Sequence, residues 1–151
     1  MDQSHEEETG MRVRKVLAAG FVALAAVVGT AGTASAAPVG DDCLFDEVCL
    51  YFNSSSYGYG AYFAQSGSIP DYSGRYFKAG DNGSSGAGVS VKNNAGAVDN
   101  RGTPRNFYLY YNSNYDCSVA CVTVSPGGLI NLSEPMKNDN ASGKLGASQV
   151  G

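Results

Sequence analysis

Beyond residue 40 the apolar positions of the chain fall in short clusters, rich in β-branched and aromatic residues, and runs of Gly, Ser and Asn separate them. No helical period links the clusters. Strands are expected at 48–52, 57–63, 72–77, 89–92, 107–111, 120–124 and 129–132. Turns are expected at Asn53-Ser54-Ser55-Ser56, across 80–88 and 93–102, and at Ser125-Pro126-Gly127-Gly128. The pattern is all-β. The Gly- and Asn-rich stretch 93–104 is the expected seam between two halves, and the tail from Ala141 onward, with few apolar anchors, is expected to fray. A different pattern precedes all of this: Arg12, Arg14 and Lys15 lead into an apolar run at 16–28, and Ala34-Ser35-Ala36 follows. That succession predicts a signal peptide over 1–36, cleaved after Ala36, with 1–10 upstream of a true start at Met11. The run is too short to span a bilayer, so the expected product is secreted, with no membrane association after cleavage.

The clusters repeat. Leu50-Tyr51-Phe52-Asn53-Ser54 with Tyr57 returns as Leu109-Tyr110-Tyr111-Asn112-Ser113 with Tyr115, and Asp81-Asn82-Gly83-Ser84-Ser85-Gly86 returns as Asn138-Asp139-Asn140-Ala141-Ser142-Gly143. The offsets are 59, 58 and 57 residues. Shared order at nearly constant spacing implies an internal duplication, with repeats at approximately 43–96 and 105–145 inside a single domain spanning 37–151.

Composition narrows what such a domain can do. Residues 37–151 hold seven Lys and Arg against ten Asp and Glu, a net charge of −3, and the basic residues are scattered. Nucleic acid is therefore not an expected partner. The one histidine, His5, precedes the signal segment, so Ser/His/Asp and Cys/His catalysis are excluded downstream of it. The carboxylate neighbours Asp41-Asp42 and Asp46-Glu47, with Asp71, make a poor acid/base pair, and the chain is not expected to be an enzyme. Four cysteines, Cys43, Cys49, Cys117 and Cys121, imply two disulfides in an exported chain. Three pairings are open. Local pairing, Cys43 with Cys49 and Cys117 with Cys121, is expected because a turn can close each short segment; it contributes on the order of 2–3 kcal/mol per bridge. There are ten Tyr and no Trp. Tyr57 and Tyr115 suit corner positions whose hydroxyls satisfy turn backbone, in preference to a platform for sugar or peptide.

Three stretches together resemble the βγ-crystallin superfamily, and within it the bacterial secreted peptidase inhibitors similar to the metalloproteinase inhibitor of filamentous soil bacteria. The aromatic pairs Tyr51/Tyr57 and Tyr110/Tyr115 are similar to the superfamily's first-hairpin motif. Cys43-Leu44-Phe45-Asp46-Glu47-Val48-Cys49-Leu50-Tyr51 is similar to the opening of these inhibitors, and Val89-Ser90-Val91-Lys92-Asn93-Asn94-Ala95-Gly96 to the segment before their second repeat. The resemblance implies a βγ-crystallin-like sandwich of two Greek-key motifs and a monomer that binds an extracellular peptidase, most simply a metallopeptidase. The expected inhibitory loop is Cys117-Ser118-Val119-Ala120-Cys121-Val122, in which Val119 or Val122 would fill an apolar subsite. No cofactor is required. The phrase containing Asp81, Asn82 and Ser85, with its partner containing Asn138, Asp139 and Ser142, resembles the superfamily's calcium motif. The alternative expectation is accordingly a calcium-binding structural or cell-envelope module, with affinity in the roughly 10⁻⁴ M range.

Overall fold

The computed structural model describes residues 42–148, so the expected signal segment and Asp41 lie outside the described residues. Seven strands form two antiparallel sheets: β1 (Glu47–Tyr51), β2 (Tyr62–Gln65), β3 (Ala97–Arg101), β4 (Arg105–Tyr110), β5 (Cys121–Val124), β6 (Leu129–Asn131) and β7 (Ser142–Ser148). One sheet runs β2-β1-β3-β6 and the other β5-β4-β7. Two short 3₁₀ turns, Ser55–Tyr57 and Ser113–Tyr115, follow β1 and β4.

Each repeat lends a segment to the other's sheet. β6 belongs by sequence to the second half yet pairs with β3 of the first. Reciprocally, the stretch 68–72 of the first half runs beside β7: the Ile69 and Gly143 backbones exchange bonds of 2.8 and 3.0 Å, and Tyr72 N–H donates to Ala141 C=O at 2.9 Å. The exchange obeys an internal twofold symmetry. Leu132 N–H donates to Gly96 C=O just as Tyr72 N–H donates to Ala141 C=O, and Gly96 N–H donates to Tyr51 C=O just as Ala141 N–H donates to Tyr110 C=O. The result is two interlocked Greek keys packed face to face.

This symmetry corrects the register of the duplication. Asn93 N–H donates to Asn140 C=O at 2.7 Å and Asn138 N–H to Ala95 C=O at 3.0 Å, and both asparagines take the left-handed conformation, φ 63° and 61°. The counterpart of Asn138-Asp139-Asn140-Ala141-Ser142 is therefore Asn93-Asn94-Ala95-Gly96-Ala97. The similar phrase at 81–86 lies in an irregular loop without a symmetric equivalent role. Two further expectations fail. The seam at 93–104 contains β3, an interior strand, and the tail from Ala141 forms β7, the longest strand, paired along β4. The expected strands at 72–77 and 89–92 reduce to an isolated bridge, Tyr76 with Ser90, and flanking backbone bonds.

Alternation explains the sandwich core. Phe107 and Leu109 of β4, Val124 of β5, Val48 and Leu50 of β1 and Val98 of β3 meet Tyr72, Phe77, Val91, Leu132 and Met136 between the sheets. The opposite face of β1 is covered too: Cys49 and Tyr51 pack with Cys43, Tyr59 and Ala97 in a second cluster. Both pairs of cysteines are bridged locally, Cys43–Cys49 with Cα atoms 5.9 Å apart and Cys117–Cys121 with 5.2 Å. Among the described residues no helix is long and apolar enough to cross a membrane.

Tyr51 is fully buried, and its hydroxyl has no hydrogen-bond partner among the described residues. Burial and the nearby Asp99 carboxylate push that phenol well above its ordinary value. Removing an unpaired buried hydroxyl relieves its desolvation, so Tyr51→Phe should stabilise the fold by about 1 kcal/mol in urea unfolding. A loss of stability of that size would show that the hydroxyl is bonded in solution.

Candidate functional site

The Cys117–Cys121 loop projects between the 3₁₀ turn at Ser113–Tyr115 and β5. Its brace is Asp116. The carboxylate accepts Ser118 N–H at 2.8 Å through Oδ1 and the Ser118 hydroxyl at 2.9 Å through Oδ2, while Asn112 Nδ2 reaches both Asp116 Oδ2 and Ser118 Oγ at 3.2 Å. These bonds hold the Asp116 carboxyl below its ordinary value, the Ser118 backbone bond foremost. A depressed carboxyl contributes order above its unfolded value and loses it as pH falls through the folded one. The brace should therefore be complete at neutral pH and released only in acid, visible as loss of dispersion of the Ser118 amide resonance.

At the loop's outer end Val119 is 59% exposed. Ala120 C=O accepts Tyr111 N–H at 3.0 Å and so anchors the loop's base to the sheet. Of the two apolar candidates, Val119 is the one that projects from the loop. Val122 lies in β5 opposite Leu109, half-buried against the core, because alternate residues of a strand face opposite sides. Its side chain packs on the core and does not project from the loop as Val119 does.

The first disulfide also closes a loop, and its tip is apolar. Leu44 and Phe45 are 61% and 77% exposed at its tip. Glu47 N–H donates to Leu44 C=O at 3.2 Å, Leu44 N–H donates to the Glu47 carboxylate at 3.0 Å, and Asp46 takes φ 71°, which together make a tight turn. The Phe45 ring lies over Gly102, where a Cβ would meet its Cδ2 at 2.6 Å. Two adjacent large apolar residues between close cysteines were the available signal.

The tyrosine assignments divide. Tyr115 packs on Tyr110 with ring centroids 5.9 Å apart and φ 63°, as a corner residue should. Its counterpart is not Tyr57, which is 74% exposed, but Tyr59, with φ 60° and its centroid 5.3 Å from that of Tyr51. Burial raises the Tyr59 phenol. Gly60, φ 68°, follows because a Cβ there would lie 2.6 Å from Ser85 C=O.

The six residues of the calcium expectation do not converge as two equivalent sets. In the second repeat Ser142 Oγ is buried, donating to Asn112 C=O at 2.7 Å and accepting Tyr115 N–H at 3.1 Å, so it fastens the hairpin. Asn138 is exposed and Asp139 half-buried. In the first, Ser85 Oγ accepts Asn53 Nδ2 at 3.2 Å, Ser85 C=O accepts Ala61 N–H at 2.8 Å, and the Asp81 backbone N–H donates to the Asp42 carboxylate. Asn82 is half-buried in the same loop. The symmetric mate of Asn138, Asp139 and Ser142 is Asn93, Asn94 and Ala97, which carries no carboxylate and no hydroxyl. Among the described residues no three His, Cys, Asp or Glu side chains cluster as metal ligands.

No protein-family model and no curated protein matches the chain. Its fold does find a match: a solved structure from work on the "evolution of the eye lens beta-gamma-crystallin domain fold" superposes with a TM-score of 0.50 at 9% sequence identity, over 72% of this chain and 92% of that one. The chain therefore has the βγ-crystallin domain fold, as an all-β, two-sheet sandwich.

Proposed function

We propose that this βγ-crystallin-type domain is a secreted inhibitor of an extracellular peptidase, most simply a metallopeptidase, acting through the Cys117–Cys121 loop. The observation that carries the proposal is the loop's restraint. A disulfide, the Asp116 brace and the Ala120 anchor hold a single projecting apolar side chain, Val119, in place. An enzyme that binds such a loop loses little conformational entropy, and a loop that cannot relax retains its cleaved ends. Two disulfides and the signal-like leader support export. The Leu44-Phe45 tip is bent in a turn at Asp46 and so fits a substrate-like cleft less well.

The test is a titration of the oxidised protein against a thermolysin-like metallopeptidase and a subtilisin-like serine peptidase. Stoichiometric loss of the first activity is expected. Full activity of both enzymes at excess protein would remove the inhibitory function.

A further inference from the structure

The internal symmetry relates two surface cavities, and their difference points to a ligand. One, of about 210 Å³, is lined by Lys92, Asn93, Tyr111, Asn112, Ser113 and Asp139. The other, of about 230 Å³, is lined by Phe52, Asn53, Ser54, Tyr57, Lys137 and Asn138. Lys92 corresponds to Lys137, Asn93 to Asn138, Asn112 to Asn53 and Ser113 to Ser54. In the first cavity the ammonium is internally satisfied: Lys92 Nζ lies 3.0 Å from Asp71 Oδ1 and 3.0 Å from Ser113 Oγ. By the same symmetry, which matches Tyr72 to Leu132, Asp71 corresponds to Asn131. That amide carries no charge and is already committed, donating to Ser55 Oγ at 2.7 Å and accepting Ser55 N–H at 2.9 Å. Among the described residues the half-buried Lys137 has no ion pair.

The second cavity thus keeps the ammonium, the hydroxyl and the amides and lacks both carboxylates of the first, Asp71 on the ammonium and Asp139 in the wall. We infer that Lys137 binds the carboxylate of an acidic sugar, a uronate, in this cavity. The ammonium supplies a charge-assisted bond to the carboxylate. Asn53, Ser54 and Asn138 surround it with amide and hydroxyl groups suited to ring hydroxyls, and the exposed Tyr57 at the rim offers an apolar face with a polar edge. The site is separate from the Cys117–Cys121 loop and does not depend on the inhibitory function.

The experiment is an NMR titration of the oxidised protein with glucuronate, with glucose as the neutral twin and N-acetylalanine as a carboxylate without a sugar ring. Glucuronate should shift the amide resonances of Ser54, Tyr57, Lys137 and Asn138 at about millimolar concentration. Glucose and N-acetylalanine should leave them in place over the same range. Lys137→Gln should weaken glucuronate binding by about tenfold or more. Asn131→Asp, which puts a carboxylate where Asp71 stands in the sister cavity, should do the same by filling the site from within. Melting curves establish that both variants fold, and Lys137→Gln keeps the test valid should Asn131→Asp not. Undiminished binding by folded Lys137→Gln, an equal response to glucose or to N-acetylalanine, or no response to glucuronate would each overturn the inference.

Discussion

Val119→Asp should reduce inhibition by about 100-fold or more and leave the melting temperature within about 3 °C of the parent. The side chain is 59% exposed, so its replacement disturbs no packing. In an apolar subsite the same change removes a buried isopropyl group and forces a carboxylate out of water, two losses that add. The companion substitution Val122→Asp has a different meaning. It puts a charge against the core beside Leu109, so loss of inhibition there would report unfolding. Measuring half-inhibition and melting on the same Val119→Asp sample separates contact from stability. Inhibition retained at the parent level would exclude Val119 as the contact and turn attention to Leu44 and Phe45.

The second large effect concerns the core of the symmetry. Asn140→Ala should destabilise the protein by about 3 kcal/mol, a fall in melting temperature of roughly 15 °C, read in urea and thermal unfolding. Asn140 is fully buried, with Oδ1 accepting Ala95 N–H at 2.9 Å and Nδ2 donating to Val91 C=O at 2.9 Å. Its backbone C=O accepts Asn93 N–H at 2.7 Å. The side chain therefore ties one repeat's last loop to the other's; truncation leaves the buried Ala95 N–H without a partner and Val91 C=O with only the longer bond from Asn94 N–H at 3.3 Å. Ala95 holds the matching place in the first repeat, so this tie is made once. A loss below about 1 kcal/mol would mean that neighbouring groups re-form the bonds.

Asn140 also shows why part of the fold was hidden. The strands legible in the sequence were β1, β4 and β5, where Val48, Leu50, Phe107, Leu109, Val122 and Val124 mark the inward face by clean alternation, and the short apolar β6, expected at 129–132 and found at Leu129–Asn131. β3 and β7 carry the vocabulary of turns. In β3, Asn100 is buried as a hub, its Nδ2 donating to Arg105 C=O at 2.8 Å and Val124 C=O at 3.0 Å, and its Oδ1 accepting the Thr103 hydroxyl at 2.5 Å. In β7, Gly143 is required by close approach, since a Cβ would meet the Phe107 ring at 2.5 Å and the Tyr72 hydroxyl. Residues that usually end strands here serve as internal ties, and propensity cannot see a tie whose partner is far along the chain. The same blindness shifted the repeat register at 81–86, where composition matched and topology did not.

The site divides in the same way. Cysteine spacing exposed the loop and its closure, because a bridge over so few residues depends only on local geometry. The direction of Val122 depended on the register of β5, whereas the Asp116 brace is local, its partners Asn112 and Ser118 lying only four and two residues away. The contrast between the Lys92 and Lys137 cavities needed the symmetry itself, since Asp71 and Asn131 stand at matched places only once the strand exchange is known.

That exchange also dictates what a cut would do. Neither disulfide bridges the two halves, and the connection between β3 and β4 is the short stretch Gly102, Thr103 and Pro104. A chain severed there yields two polypeptides, the first missing β6 and the second the stretch 68–72 that runs beside β7. Neither should fold alone, and mixing should restore the sandwich as a bimolecular pair whose assembly depends on concentration. The domain is a natural candidate for a split reporter, in which two fused proteins signal their meeting by the return of structure.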